Sequence, residues 1–272
     1  MVAPVGDDRG MESGRTHHHG EFDAAVLAAR RPGPVSVCVP ARDEERTVGA
    51  VVGAVRRHLT AAGGGVDLVD EIVVVDDGSL DATAERAAEA GAVVVRSGVP
   101  RGTGGKGAAM AAGAAASIGE LVVFLDADVE NTAPHFVAGL LGPLLLDPEV
   151  QLVKAFYERP LHGEPSGGGR VTELVARPLL DLLFPELAWV RQPLAGETAL
   201  RRGVLRHVEL EQDYGVEMGL LVDVAERFGV GAVAQVDLGT RVHRNRPLDE
   251  LRPQATDVLR AALARAGARI AR

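Results

Sequence analysis

Two aspartates end an apolar run in the stretch FLDADVEN, residues 124–131. In an extended segment Asp126 and Asp128 lie on the same side of the chain, about 6.5–7 Å apart. Two carboxylates beside a core repel each other and raise each other's pKa unless a cation lies between them. Mg²⁺ and Mn²⁺ prefer such oxygen ligands and keep coordination positions open for phosphate oxygens. The pair therefore indicates a divalent metal site, with a solvated turn at a strand end as the alternative.

A glycine-rich stretch, RGTGGKGAAM, brings two cations, Arg101 and Lys106, into one loop. Gly102, Gly104 and Gly107 satisfy the G-x-G-x-x-G pattern of dinucleotide-binding folds, which keeps an NAD-dependent oxidoreductase as an alternative. That fingerprint belongs in the first strand–helix turn of a fold, whereas here it follows the third predicted strand. The P-loop pattern fails because the lysine is followed by glycine. The loop is therefore interpreted as a flexible segment that presents two cations to a diphosphate.

Two basic stretches in the second half of the chain are suited to binding anions. GGGRVTEL sets Arg170 beside the backbone N–H groups of residues 169–172, which begin a predicted helix. RVHRNRP is the densest basic run, and Arg241, His243 and Asn245 share one face of it if it is a strand. His243, at the polar end of that strand, is a candidate metal ligand.

Another predicted strand ends in the paired acids Asp76 and Asp77. A carboxylate at this point can accept hydrogen bonds from a nucleobase N–H group or from ribose hydroxyls. A type I turn capped by the Asp-Gly-Ser sequence explains the same residues equally well, and both interpretations stay open.

The composition of the 272-residue chain argues against several classes of protein. Its net charge of -9 disfavours non-specific nucleic-acid binding and docking on anionic membranes, because both need a basic surface. Cys38 is the only cysteine in the sequence, so neither an internal disulfide nor a zinc cluster of thiolates can form. No apolar run reaches the ~18 residues of a membrane helix, and no secretory signal pattern is present, so a cytoplasmic protein is expected.

Short apolar strands alternate with helical patterns from residue 35 onward. Predicted strands cover residues 35–40, 70–79, 92–97 and 120–128, with predicted helices at 47–59, 81–91 and 107–118 between them. This order is typical of a mostly parallel α/β sheet with helices on both faces. Right-handed crossovers place the carboxyl ends of all four strands at one edge, where open α/β sheets bind ligands. The acidic pairs and the glycine-rich loop all fall at that edge.

The predicted organisation has a leader, two halves and a terminal helix. Residues 1–34 are expected to be a flexible leader, with His17, His18 and His19 in a solvated tail. Residues 35–150 form the first half and residues 151–250 the second. The second half has predicted strands at 149–160 and 230–243, a glycine-rich turn leading into a helix over 166–184, a predicted helix at 214–229 and a predicted loop at 192–202. Residues 251–272 are expected to form a C-terminal amphipathic helix.

Four motifs resemble the nucleotide-sugar half of GT-A glycosyltransferases: PARDEERTVGAVV, VVVDDGSLDAT, GKGAAM and FLDADV. Four later motifs resemble more narrowly the actinobacterial glucosyl-3-phosphoglycerate synthases: GGGRVTEL, PLAGE, YGVEMGLL and DLGTRVHRNRPLDEL. Those enzymes belong to a retaining family that also contains mannosyl-3-phosphoglycerate synthases. The resemblance extends from about Val35 to Leu251 and implies a GT-A fold. It makes residues 35–150 the nucleotide-sugar-binding half and residues 151–250 the acceptor-binding half of one catalytic domain.

The resemblance implies a reaction and its participants. Glucose would move from UDP-glucose to the 2-hydroxyl of 3-phosphoglycerate with retention, with Mg²⁺ or Mn²⁺ as the cofactor, in a homodimer. GDP-mannose is the alternative donor.

The resemblance also implies roles for individual residues. The donor nucleotide-sugar would be held by Pro40, Ala41, Glu44, Asp76, Lys106, Asp126, Tyr214 and Glu217. The catalytic set would be Glu217, Asp128 and Leu194, with the loop from Leu194 to Glu197 under the anomeric carbon. The divalent ion would be bound by Asp128 and His243. The acceptor would be held by Gly169, Arg170, Thr172, Arg241 and Asn245.

Two features depart from the family pattern. Arg42 and Asp43 stand where related enzymes often carry other residues, commonly an asparagine before the paired acids, and the segment near 157–168 is short. No carboxylate in the sequence is obviously placed as a nucleophile, so the prediction is same-face attack, with the leaving phosphate taking the acceptor proton. An NAD-dependent oxidoreductase and a non-catalytic nucleotide-binding module remain the alternatives from other classes.

Overall fold

An eight-stranded sheet forms the centre of the protein in a computed structural model, which describes residues 15–100, 105–161, 164–167, 169–242 and 248–267. The strands are β1 (Thr16–His18), β2 (Val35–Ala41), β3 (Glu71–Asp76), β4 (Val93–Arg96), β5 (Leu121–Phe124), β6 (Leu152–Glu158), β7 (Pro160–Leu161), β8 (Glu164–Gly167), β9 (Thr198–Arg201) and β10 (Val233–Thr240). The α-helices are α1 (Ala24–Ala28), α2 (Val48–Leu59), α3 (Thr83–Glu89), α4 (Lys106–Ala116), α5 (Pro134–Leu146), α6 (Arg177–Leu183), α7 (Val216–Phe228) and α8 (Leu248–Arg265).

The strand order in the main sheet is β1-β10-β6-β9-β5-β2-β3-β4, and β7 pairs with β8 in a separate ribbon. β9 runs antiparallel to both β5 and β6, while the other pairs of the main sheet are parallel. The prediction of a mostly parallel sheet flanked by helices is therefore confirmed. Both halves of the chain contribute strands to this one sheet.

The central strands form because their apolar side chains are buried on both faces, as parallel strands require. In β2 every residue except Pro40 is buried. One face of the sheet packs against α2 and α5. The other face packs against α4, α7 and α8. In α2, the buried Val48, Val51, Val52 and Val55 recur at helical spacing, so a single stripe of that helix faces the sheet.

The predicted flexible leader is wrong for residues 16–28. β1 pairs in parallel with β10, with Thr16 opposite Gln235 and His18 opposite Asp237, and α1 follows. The three histidines do not lie in a solvated tail, since His18 belongs to this strand and the His19 ring lies 4.2 Å from that of His135. The edge of β10 supplies the backbone partners for this polar segment, and the local sequence contains no sign of them.

Three other boundaries differ from the predictions. Residues 198–201, predicted as part of a loop, form β9, whose four residues are too few to show a periodic pattern. In the glycine-rich turn and helix predicted over 166–184, the helix begins at residue 170, and its π-helical segment, Thr172–Ala176, before α6 was not predicted. β10 covers only part of the strand predicted over 230–243, because a 3₁₀ turn, Val230–Ala232, precedes it. Among the described residues, no helix is long and apolar enough to cross a bilayer.

Candidate functional site

The carboxyl ends of the central strands open into a cavity of about 510 Å³. Both halves of the chain line it. The predicted site residues among its lining are Pro40, Ala41, Glu44, Lys106, Asp126, Asp128, Gly169, Arg170, Thr172, Leu194, Tyr214, Glu217 and Arg241. The predicted donor, catalytic and acceptor residues therefore share one cavity. His243 and Asn245 lie outside the described residues, as do Gly102 and Gly104 of the glycine-rich motif.

Asp76 is the one described site residue that the structure does not bring into this lining. Its Oδ1 accepts a hydrogen bond from Ser79 N at 2.9 Å, so it caps the turn after β3. Its neighbour Asp77 lines the cavity instead and binds the Arg42 side chain. One carboxylate oxygen of Asp76 is thus used within its own loop, and the predicted contact of Asp76 with the nucleotide stays a prediction.

The loops after β2 and β3 are joined by reciprocal hydrogen bonds. Asp43, a non-glycine residue at φ 56°, accepts from Leu80 N through Oδ1 at 2.8 Å. Glu44 N donates to Thr83 Oγ1 at 2.8 Å. Asp43, which departs from the family pattern, therefore has a structural role. Its short polar side chain suits the left-handed conformation and ties the two loops together.

Asp126 and Asp128 converge on one guanidinium. Arg241 Nη2 donates to Asp126 Oδ2 at 2.8 Å and to Asp128 Oδ1 at 2.9 Å. β5 ends at Phe124, so the two acids lie in the following turn and not in a continuous strand. The two acids do lie side by side, although the spacing argument assumed extended backbone, and the cation between them in this structure is Arg241; the predicted divalent ion stays a prediction.

Lys106, the first residue of α4, lies between two carboxylates. Its Nζ donates to Asp126 Oδ1 at 2.6 Å and lies 2.7 Å from Glu217 Oε1, which is carried by α7. Burial disfavours the charged amine, but Asp126 and Glu217 outweigh that effect and raise the pKa of Lys106 above its usual value. The lysine is therefore a fixed positive charge in the cavity wall.

The acids at the end of β5 suit a hard divalent cation. Burial opposes ionisation of Asp126, but Lys106 and Arg241 outweigh it and hold the pKa of that carboxyl below its usual range. Two neighbouring carboxylates beside an open cavity supply the oxygen donors that Mg²⁺ and Mn²⁺ prefer, and in this structure the Arg241 guanidinium lies between them. Within the part of the chain that the structure describes, no third histidine, cysteine or acid completes a metal-binding cluster. A bound ion would therefore take further ligands from its substrate or from residues beyond that part.

Three residues surround Arg241: Glu197, which the sequence analysis placed only at the end of the 194–197 loop, and Tyr157 and Arg159, which it did not single out. Glu197 is fully buried, and its Oε1 lies 2.9 Å from Arg241 Nε as an ion pair without hydrogen-bond geometry. Tyr157 donates its hydroxyl to Glu197 Oε2 at 2.6 Å, and Arg159 donates to that hydroxyl at 2.9 Å. Burial raises the pKa of Tyr157, which keeps the hydroxyl protonated as a donor. Tyr157 and Arg159 lie together at the end of β6 and Glu197 lies 40 positions further on, so no local sequence pattern could have revealed the network.

Gly196 lies against the ion pair of Lys106 and Asp126. A Cβ at this position would overlap the Lys106 ammonium and the Asp126 carboxylate. The loop of residues 194–197 can approach the charged centre this closely only because it carries no side chain there. The close approach of this loop to the Lys106–Asp126 pair thus has a backbone basis.

Comparisons with known proteins agree with this geometry. Residues 36–170 match the family Glycosyl transferase family 2. The chain is 47% identical to a glucosyl-3-phosphoglycerate synthase of Mycolicibacterium paratuberculosis over 255 residues, which cover 90% of this chain and 76% of the relative.

Two solved structures share the fold. The first is the glucosyl-3-phosphoglycerate synthase of Mycobacterium tuberculosis in complex with Mn²⁺, UDP-glucose and phosphoglyceric acid. It has a TM-score of 0.82 at 43% identity, covering 94% of this chain and 89% of that one. The second is the mannosyl-3-phosphoglycerate synthase of Rubrobacter xylanophilus, with a TM-score of 0.86 at 38% identity, covering 94% and 82% of the two chains. Because the likeness covers most of each chain in both sequence and fold, this chain belongs to the glucosyl-3-phosphoglycerate synthase family of GT-A glycosyltransferases.

Proposed function

We propose that the chain transfers glucose from UDP-glucose to the 2-hydroxyl of 3-phosphoglycerate, with retention at the anomeric carbon and with Mg²⁺ or Mn²⁺ bound. The observation that carries this proposal is the single cavity shared by the acids after β5, the cation Lys106 and the helix start at Gly169–Thr172. A nucleoside diphosphate needs the first two features, and an anionic acceptor needs the third. The membership of the chain in a family of such synthases supports the same substrates.

The donor lies along the carboxyl ends of β2 and β5. Pro40, Ala41 and Glu44 form the wall for its nucleoside. Asp128 and Asp126, with His243 from outside the described residues, hold the divalent ion. The bound ion supplies charge neutralisation for the departing UDP. Lys106 adds a second fixed positive charge beside the diphosphate, which stabilises the leaving group electrostatically.

The acceptor lies toward the second half of the chain. Gly169, Arg170 and Thr172 line the cavity where a helix begins, so backbone N–H groups and one guanidinium face an incoming phosphate. Arg241 and Asn245 hold the remaining polar groups of the acceptor. These contacts position the 2-hydroxyl, and positioning supplies a large share of the rate in such a transfer.

Same-face attack explains retention without a covalent intermediate. Glu197 is held by Tyr157 and Arg241 and does not line the cavity. Glu217 is paired with Lys106, and we assign it to the hydroxyls of the transferred sugar. Neither acid is free to attack the anomeric carbon, so the leaving phosphate takes the acceptor proton. A glycosyl-enzyme trapped on Glu217 or Glu197 would overturn this mechanism.

Product analysis tests the reaction directly. The purified full chain is incubated with Mn²⁺ and 3-phosphoglycerate and with either UDP-glucose or GDP-mannose, and the glycoside is characterised by NMR. We expect an α-glucoside from UDP-glucose and loss of turnover in EDTA. The Rubrobacter mannosyl-3-phosphoglycerate synthase supports GDP-mannose as the second candidate donor, and a preference for that nucleotide would replace our assignment. Nucleotide binding that is unaffected by EDTA, with no product from either donor, would contradict the proposal.

Asp128→Ala tests the metal site. We expect loss of at least about a hundredfold in kcat, because the ion that neutralises the leaving group loses a ligand. The Mn²⁺-dependent part of UDP affinity should fall as well, as measured by calorimetry. Glu130→Ala is the matched control, since this exposed acid stands two residues further on and should leave both quantities unchanged. Full activity in Asp128→Ala would exclude Asp128 as a ligand.

We further propose that the chain works as a homodimer in the cytoplasm. The family resemblance supports the dimer, as do two largely exposed leucines, Leu174 and Leu182, which are 74% and 79% exposed near α6. Both proposed substrates are phosphorylated anions that do not cross a bilayer unaided, which supports the location. Light scattering and cell fractionation test these statements, and a monomer or a membrane-bound fraction would contradict them.

A further inference from the structure

Lys154 is a fully buried lysine in the middle of β6. Its Nζ donates to the backbone carbonyl of Ala195 at 2.6 Å. Burial lowers the pKa of this amine to about 8, which shows that its surroundings disfavour the charge. Leucine or methionine would fill such a position without that cost. The presence of an ammonium group here therefore calls for a function.

The carbonyl that Lys154 binds belongs to the loop under the proposed reacting centre. Leu194, immediately before it, lines the cavity, and Gly196, immediately after it, lies against Lys106 and Asp126. The loop bends at this point, since Ala195 N donates to Gln192 O at 3.0 Å. The position of the Ala195 peptide therefore sets how far the loop reaches into the cavity.

Neighbouring strands anchor both ends of this loop. Gln192 Nε2 donates to Tyr157 O at 2.6 Å, and Ala155 N donates to Glu197 O at 3.0 Å. Thr198 Oγ1 also donates to Ala195 O, at 3.2 Å. Lys154 is the charged group at the apex of the loop, between these two anchored ends.

We propose that Lys154 is a positioning residue for the transfer reaction. Its bond to the Ala195 carbonyl fixes the distance between the Leu194–Gly196 segment and the Lys106–Asp126 pair, and with it the space for the transferred sugar. This inference rests on the proposed function. Four charged groups act on Lys154 from the surrounding elements: Glu217 on α7, Lys106 on α4, Asp126 after β5 and Glu197 before β9. The two acids in contact with Lys106 thus also act on Lys154, so one charge network joins the loop to the donor site.

Lys154→Met separates positioning from a merely structural role. Methionine has a similar volume and no charge, and Thr198 still satisfies the Ala195 carbonyl. We expect an unchanged or higher Tm together with a fall in kcat of about tenfold or more, because a misplaced loop costs rate in the transition state. KM for UDP-glucose and for 3-phosphoglycerate should change by less than about threefold. Equilibrium binding of Mn²⁺–UDP should stay within the same range.

Leu152→Ala is the matched control. It lies two residues earlier on the same face of β6, is fully buried, and does not line the cavity. We expect this variant to lose Tm while keeping the kcat of the wild type. The wild-type chain is assayed first, so that failure of the proposed reaction is seen before any variant is compared.

Two outcomes would overturn the role of Lys154 in an active enzyme. One is a kcat within about threefold of wild type in folded Lys154→Met. The other is a loss of kcat that merely accompanies a large loss of Tm, as in a general packing defect. If Lys154→Met does not fold, Lys154→Leu replaces it, because it also removes the Lys154 donor while Thr198 still donates to the Ala195 carbonyl. A lower kcat at constant KM then supports the proposal, and an unchanged kcat refutes it.

Discussion

Arg241 is both a proposed acceptor ligand and the counter-ion of three acids. Its guanidinium is almost fully buried and contacts Asp126, Asp128 and Glu197. An arginine that only bound the acceptor would not need this many acidic partners. At the scale of single residues, binding and stability are therefore coupled at this side chain.

Arg241→Ala should damage both properties. We expect KM for 3-phosphoglycerate to rise at least about tenfold and the free energy of unfolding to fall by about 3 kcal/mol, because a buried acid is left without its cation. Steady-state kinetics and urea denaturation measure the two effects. Adding Glu197→Gln should recover part of the stability but none of the acceptor affinity. Equal recovery of both, or of neither, would contradict the division of roles.

The pH dependence of stability reports on Lys154. Its pKa is lowered from 10.5 to about 8 in the folded chain, so between these values the unfolded chain holds a proton that the folded chain has lost. Stability contributed by this group therefore rises with pH across that window and is lowest below pH 8. The buried Cys38 acts in the opposite direction above pH 9, since its pKa is raised from 9.0 to about 12. A comparison of wild type with Lys154→Met cancels the cysteine.

We expect the stability advantage of Lys154→Met over wild type to shrink by on the order of 2 kcal/mol between pH 7.5 and pH 10. Urea denaturation at the two pH values measures it. An advantage that stays constant with pH would show that Lys154 has an ordinary pKa, and hence that its burial carries no electrostatic cost.

At the scale of elements, the loop before β9 is the part of the site with least room for change. Gly196→Ala should lower kcat by at least about a hundredfold, because its Cβ would displace the Lys106–Asp126 ion pair from the donor site. Kinetics and Mn²⁺–UDP calorimetry measure the loss. Gly203→Ala is the matched control, since a Cβ there meets no atom within 4 Å. Similar behaviour of the two variants would show that the loop can move aside at little cost.

At the scale of the whole molecule, the N-terminal segment completes the sheet. β1 covers the edge of β10, and the Phe22 ring lies directly on the backbone of α5 at Gly142. An exposed parallel edge would otherwise be open to pairing with other chains. The segment belongs to the core, although none of its residues lines the cavity.

Phe22→Ala should therefore lower the free energy of unfolding by about 3 kcal/mol while leaving kcat and KM near the wild-type values. Chemical denaturation and steady-state kinetics test the two halves of this statement. Val26→Ala, on the half-exposed face of α1, should change stability by less than about 0.5 kcal/mol. A stable Phe22→Ala variant would mean that the segment is not docked in solution.

Particular residues show how far the sequence could be interpreted. The acids after β5 and Lys106 were predicted as one site, because parallel strands bring their carboxyl ends together. The helix start at Gly169–Thr172 was predicted from its glycines and Arg170, and it lines the cavity. Asp76 caps a turn in the structure, an interpretation that the sequence left open because a turn cap and a nucleotide ligand have the same local sequence. β9 was not predicted because four residues are too few to show a pattern, and these residues are buried only through their pairing with β5 and β6.

The sequence by itself determined the alternation of strands and helices, and with it the edge of the sheet at which polar residues gather. Only the tertiary structure decided which charge meets which. Arg241 reaches Asp126 across 115 positions of the chain, and Lys154 reaches Ala195 across 41. The physical reason is that apolar periodicity is a local property, since each residue is buried or exposed within its own element. An ion pair in a cavity depends on the distance between two elements, and that distance is set by the packing of all the others.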